Sequence, residues 1–471
     1  MNENVIQPGN KKISEYVLLG CSGALFLILY GIIGSNFNRA FVIAYTTYCF
    51  LRYVNNLGHT INIFDFLVFY SALNTLLCPL LSYVYFTQEN FLARITFYFM
   101  WVKEDEYFSY LIPGNVAFFV GLNLIYYKRA RLAAFYMDRA REYVAEKQKV
   151  GVVLIIVGIL ATQFVRSVPD SITFVFYLLA MLTYVGAFYL YFSLKKRRNL
   201  IMSGLVLVMF AQAAQKGLFG EFANYMVVAV SLIMAQYRWR FIPKLLFFAS
   251  AIFGVVLLQS IKDDYRQVVW RGAVSAEYRG QGNLEIFTSM LSRRMVDPEV
   301  VFNGPSMFQL NRRLNQGWLI ARTMDYVPKR APYADGETIW QSLAAVAVPR
   351  FLWPDKPEAG GFANLSRFVG IKRRLNYSMN IGPFGEGYGN FGVAGGVFFM
   401  LVYGLAIAVF LDQTLKRAWK TPSLIIWTPL LFFYMLNVET DILTALNSFV
   451  KSVVFIAVIY WVGNRFFSTD V

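Results

Sequence analysis

Long apolar runs alternate with short polar breaks over most of this chain. About 20 residues of apolar helix cross a hydrocarbon core. On that criterion the pattern predicts about twelve spans, near 16–34, 37–54, 61–86, 107–127, 150–166, 171–193, 199–215, 218–236, 241–261, 391–411, 422–438 and 449–467. Between the ninth and tenth runs lies a long polar segment, residues 262–390. Within it, apolar side chains recur at helical spacing over 306–322 (Met307, Leu310, Leu314, Trp318), which predicts a helix. Residues 338–348 are apolar but too few to span, which predicts a buried or re-entrant helix. The prolines of Pro349–Pro357 then force an extended exit. Residues 129–148 predict an interfacial helix with a basic face.

The pattern implies an all-α polytopic membrane protein in three parts. Residues 1–261 form an N-terminal transmembrane bundle of about nine spans, 262–390 a large folded helical loop, and 391–471 about three C-terminal spans. Composition agrees, with 57% hydrophobic and only 15% charged residues, where a soluble chain carries roughly 25% charge. The net charge of +16 does not indicate nucleic acid, because much of the excess falls in short loops between apolar runs. Lys11/Lys12, Arg52, Lys128–Lys149, Lys195–Arg198, Arg238–Lys244, Lys416–Lys420 and Arg465 all fall on one side if the spans alternate. The positive-inside rule makes that side, and both termini, cytoplasmic. The opposite short loops are acidic or mixed: Lys103–Glu106, Arg166–Asp170 and Glu439–Asp441. No cleavable leader is expected, because the polar start is followed by a run long enough to span.

Candidate chemistry is sparse outside the large loop. Cys21, Cys49 and Cys78 lie in apolar runs and read as small hydrophobes. His59 stands alone on the cytoplasmic side. Glu104-Asp105-Glu106 lacks the further ligands that fix a cation. Glu221 sits about one turn inside a span, within reach of Lys216, and Asp65 near a helix end reads as a snorkelling polar residue. No metal and no cofactor is expected.

The large loop is different. It holds thirteen Arg and four Lys against twelve Asp and Glu. Guanidinium groups bind phosphate bidentately, so an arginine-rich folded loop against a bilayer points to a diphosphate or phospholipid head group. Arg266, Arg271, Arg293, Arg294, Arg350, Lys356, Arg373 and Arg374 are the candidate cations, with Lys216 below them. Glu386, Asp335 and Glu337 are the candidate bases for activating a hydroxyl. Glu386 lies in Met379–Gly396, where glycine and proline are dense enough to predict neither helix nor strand before Phe391.

That stretch resembles a known family. Gly385-Glu386-Gly387-Tyr388-Gly389-Asn390-Phe391-Gly392-Val393-Ala394-Gly395, preceded by the proline-and-lysine segment Pro349–Pro357 and by Lys372-Arg373-Arg374, is similar to the end of the large periplasmic loop in Wzy-type bacterial oligosaccharide repeat-unit polymerases, the O-antigen and enterobacterial-common-antigen class. The close match covers about fifty residues, and the layout of spans extends it. The resemblance implies a GT-C-like fold in the bacterial inner membrane. It implies polyprenyl-diphosphate-linked glycan as donor and acceptor, inverting transfer in the periplasm and a chain-length regulator as candidate protein partner. It makes Tyr388 a substrate-binding candidate and sets Lys216 where related ligases carry an arginine. The loop lacks the histidine those ligases use, which favours polymerase over ligase. A lipid-linked glycan transporter is the non-enzymatic alternative.

Overall fold

The computed structural model describes residues 12–466 apart from 61, 131–132, 166, 194–197, most of 217–238, 272–277, 279, 297–298, 300–303, 349–351 and 372–378. Among the described residues the regular structure is helical throughout. The N-terminal part contains α1 (Glu15–Leu27), α2 (Phe37–Asn56), α3 (Ile63–Tyr85, with a π turn at Leu73–Leu77), a short α4 (Phe91–Ile95) and α5 (Glu104–Ala130). It continues with α6 (Ala133–Val144), α7 (Gln148–Phe164), α8 (Asp170–Ser193), α9 (Arg198–Lys216) and α10 (Phe241–Arg271). The loop region carries α11 (Asn283–Val296), α12 (Gly304–Leu314), α13 (Gly317–Tyr326), α14 (Glu337–Ala347) and α15 (Phe362–Val369). The chain closes with α16 (Gly382–Ala418), α17 (Thr428–Phe432) and α18 (Ile442–Phe466).

Among the described residues, seven helical stretches are long and apolar enough to cross a membrane: Glu15–Ile32, Ile63–Tyr85, Glu104–Ile125, Ile172–Ser193, Phe241–Lys262, Gly382–Ala418 and Ile442–Arg465. Their exposed surface is apolar, with Ile32, Leu246, Phe398 and Val454 among the side chains it shows. Hydrocarbon accepts such a surface, whereas water penalises it at roughly 25 cal/mol per Å². The other predicted spans differ from the expectation in particular ways. Helix α2 forms over the predicted residues but buries Thr46, Asn55 and Asn56. Helices α7 and α9 contribute shorter apolar stretches, Gln148–Phe164 and Asn199–Ala211. Span 218–236 falls mostly outside the described residues. Span 422–438 breaks into a 3-10 turn at Pro422–Ile425 and the five-residue α17. Pro422 and Pro429 each open a new turn there, since proline cannot donate within a helix. Ile425, Ile426, Trp427 and Phe432 are fully buried, so this broken backbone is lined by protein rather than lipid.

The core is organised around α5 and α16, whose backbones come into near contact. A Cβ at Gly121 would lie 2.2 Å from the Leu401 carbonyl oxygen, and one at Gly404 2.7 Å from that of Phe118. Small residues permit such an approach where hydrophobic drive between spans is weak. Ion pairs bring together helix ends that alternation had assigned to one side. Arg39 meets Glu104 at 2.7 Å, and Asn38 donates to Asp105 at 2.9 Å. At the other end Arg52 meets Glu15 at 3.2 Å and Asp65 at 2.9 Å. Asp65 is therefore buried in an ion pair and does not snorkel, which corrects the sequence reading.

Candidate functional site

The glycine-rich stretch was expected to stay irregular up to Phe391. It is instead helical from Gly382, and the break comes later, at Gly392 with φ +67°. Pro383 in the first turn has its φ preset and loses no helical donor there. The glycines serve packing. A Cβ on Gly389 would sit 2.7 Å from the Phe368 ring, and one on Gly396 2.8 Å from the Tyr110 ring. Residues 381–390 are all buried, so the residues expected to face a ligand are held inside the fold.

Each polar residue of this stretch anchors a different neighbour. Glu386 is fully buried, and its Oε1 accepts from the Ile442 amide at 2.9 Å. That amide is the first of α18, where the orphan donors and the dipole favour a carboxylate. Asp441 stands beside it and caps the same helix, its Oδ1 accepting from the Thr444 amide at 2.9 Å. Glu386 Oε2 and Asp441 Oδ2 are both buried without a hydrogen bond, and the Asn364 side chain faces the Glu386 carboxylate. Burial pushes the Asp441 carboxyl above the usual carboxylate range. The Tyr388 ring is buried between Tyr110 (5.4 Å between ring centres) and Tyr333 (6.1 Å).

Asn390 holds the turn that leads into α14. Its Oδ1 accepts from the Gly336 amide at 3.1 Å, and its Nδ2 donates to Thr338 Oγ1 at 2.7 Å. The backbone adds Ala334 N–H to Gly389 O at 3.1 Å and Asp335 N–H to Asn390 O at 3.0 Å. These bonds fix Asp335 at φ +47°, a left-handed conformation that costs a side-chain-bearing residue on the order of 1–3 kcal/mol and clusters at functional sites. Its carboxylate is exposed, and no described residue bonds it.

The third predicted carboxylate is partnered. Glu337 Oε2 lies 2.7 Å from Arg367 Nη2, and Gln341 donates to Oε1 at 2.9 Å. The Arg367 hydrogen bond, reinforced by its charge, holds the Glu337 carboxyl below the usual range. Helix α14 then runs on with Thr338, Ser342 and Ala345 buried and Trp340 (72% exposed) and Leu343 (43%) open. An exposed carboxylate and an ion pair thus sit at the head of a helix whose open face is apolar. That combination suits a molecule with a polar head and a lipid tail.

The predicted cations scatter. Lys356 Nζ donates to the Ala345 and Val348 carbonyls at 2.9 and 3.0 Å, capping the end of α14. Arg294 pairs with Asp264 at 3.0 Å. Arg266 on α10 and Arg293 on α11 each have other interactions. Lys216 and Arg271 are the last residues of α9 and α10, and their side chains lie outside the described residues. Arg350, Arg373, Arg374 and Glu221 lie outside them altogether. Arg367, which the sequence did not single out, is a guanidinium that reaches one of the candidate carboxylates, Glu337. Asp441 was likewise missed as a site residue, although an Asp directly before an apolar run is a helix-start signal.

The chain belongs to the family described as a domain of unknown function (DUF8712), whose model matches residues 63–464. No curated protein and no solved structure matches the chain.

Proposed function

We propose that this protein is a membrane glycosyltransferase that polymerises polyprenyl-diphosphate-linked oligosaccharide repeat units at the periplasmic face of the bacterial inner membrane. The observation that carries the reading is the juxtaposition at α14. Asp335 is exposed and held in a strained turn, Glu337 and Arg367 lie beside it, and Trp340 and Leu343 offer an apolar face. The resemblance of Gly385–Gly395 to the repeat-unit polymerases supports the same substrate class.

In this reading Asp335 takes the proton from the acceptor sugar hydroxyl, worth roughly 10²–10⁴-fold in rate. The hydroxyl oxygen attacks the anomeric carbon of the donor from the face opposite the diphosphate. The glycosidic bond forms as the bond to diphosphate breaks, with inversion. Arg367, beside Glu337, stabilises the departing charge. Glu386 holds α18 in place and takes no part in proton transfer.

One observation favours a second reading, a transporter of the same lipid-linked glycan. Two carboxyl groups, Glu386 and Asp441, are buried together with unbonded oxygens beside a broken helix, and such groups recur in ion-coupled transport. Purified protein in vesicles, given a polyprenyl-diphosphate repeat unit, separates the two. A ladder of products supports polymerisation and a single addition a ligase-type transfer. Movement of the lipid across the bilayer without new glycosidic bonds would establish the transporter instead.

A further inference from the structure

At the opposite end of the helices from α14, a cavity of about 160 Å³ opens between the chain start, the α2–α3 turn and the head of α10. It is about five times the ~30 Å³ share of a liquid water molecule. Lys12, His59, Arg240 and Lys244 line it, with Trp239 and Phe241 at its margin. No acid is among the described residues that line it.

The cations are placed by the fold. Asn55 accepts from the Ile13 amide at 3.1 Å and donates to the Ile13 carbonyl at 2.9 Å, which pins the backbone beside Lys12. Lys244 is only 2% exposed, and its ammonium donates to the Leu57 carbonyl. The Lys12 and Lys244 charges are close enough to oppose one another. Glu15 and Asp65, the acids on neighbouring helices, are both engaged by Arg52. A buried ammonium with a like charge for a neighbour is costly unless an anion completes the site.

We propose that this cavity binds a phosphate group, carried by an anionic lipid head group at the membrane surface or free in solution. Lys12, Arg240 and Lys244 supply charge-assisted donors to its oxygens, as expected for phosphate recognition. Trp239, 39% exposed, lies two residues before the apolar stretch Phe241–Lys262, a position that suits an aromatic anchor at a bilayer interface. The site is independent of the transfer chemistry at α14.

The test titrates purified full-length protein in neutral detergent with short-chain phosphatidylglycerol, matching phosphatidylcholine and inorganic phosphate. Wild type should bind phosphatidylglycerol at least tenfold more tightly than phosphatidylcholine. The double variant K12S/R240S, altered only at exposed positions, should lose roughly tenfold or more in that affinity while keeping its melting temperature. Lys244→Met, which keeps the buried shape, should lose at least as much. Saturable phosphate binding that the double variant weakens would make free phosphate a ligand of the site. Phosphatidylglycerol binding without it restricts the site to lipid. Equal affinities in wild type and both variants, or no preference for the anionic lipid together with no saturable phosphate binding, would overturn the proposal.

Discussion

Glu386 and Asp335 show how little a residue's type says about its task until its surroundings are known. Both are acids followed directly by glycine, yet one is sealed against the α18 amide and the other stands in solvent on a strained turn. Glu386→Gln keeps an acceptor for the Ile442 amide and should leave thermal stability in detergent within about 1 kcal/mol of wild type. Glu386→Ala orphans that buried amide and should cost about 1–3 kcal/mol, read as a lowered unfolding midpoint. Asp441 makes a separate, pH-dependent prediction. Burial raises its carboxyl in the folded state, so its contribution is fully present below the unfolded pKa and fades as pH rises through the folded one. Asp441→Asn keeps the cap without the charge. The melting temperature of the variant relative to wild type should therefore increase as pH rises from about 4 toward neutrality. A constant difference across that range would show that the Asp441 carboxyl is not shifted by the fold.

At the scale of elements, the apolar runs were readable because hydrophobic length is a strong signal, and the close helix contacts depend on residues that carry almost none. Gly404→Val would place a Cβ against the Phe118 carbonyl, whereas a Cβ on Gly254 meets nothing within 4 Å. The first substitution should lower stability by roughly 1–3 kcal/mol or prevent folding, and the second should be near neutral. Melting of both variants in detergent checks the contrast. The short helix α14 was legible as an apolar run too short to span, and it forms over Glu337–Ala347. What misled the reading was Met379–Gly396. Dense glycine lowers helix propensity by up to about 1 kcal/mol per residue, but here it lets Tyr110, Phe368 and Phe399 pack directly on the backbone. Tertiary contact outweighs propensity, and a sequence does not announce which ring will fill the space a glycine leaves. The single helix expected over 306–322 is two, α12 and α13. Asn315 sits at the join, where its side chain donates to Ser82 at 2.8 Å and accepts from the Trp318 amide at 3.0 Å. Periodicity continues across a break that long-range polar contacts create.

For the whole molecule, the sequence carried the membrane class and the folded loop, while the cations assigned to one diphosphate site are spread over several elements. Spacing along a chain cannot say which arginines converge, and Arg294 and Lys356 are engaged by acids or carbonyls of their own surroundings. The proposed orientation places the large loop in the periplasm. Cysteines introduced at Gly282 and Ala359, both in exposed settings, should react with impermeant thiol reagents in intact cells with a permeabilised outer membrane. Protection of both until the inner membrane is breached would invert the topology. The most direct measurement compares Asp335→Asn with Glu386→Gln in vesicles supplied with a polyprenyl-diphosphate repeat unit, following products by chain length. Transfer through Asp335 predicts that Asp335→Asn loses roughly 10²–10⁴-fold in rate with expression and donor binding kept, while Glu386→Gln still makes a ladder. A full ladder from Asp335→Asn, or its loss only in Glu386→Gln, would contradict the assignment.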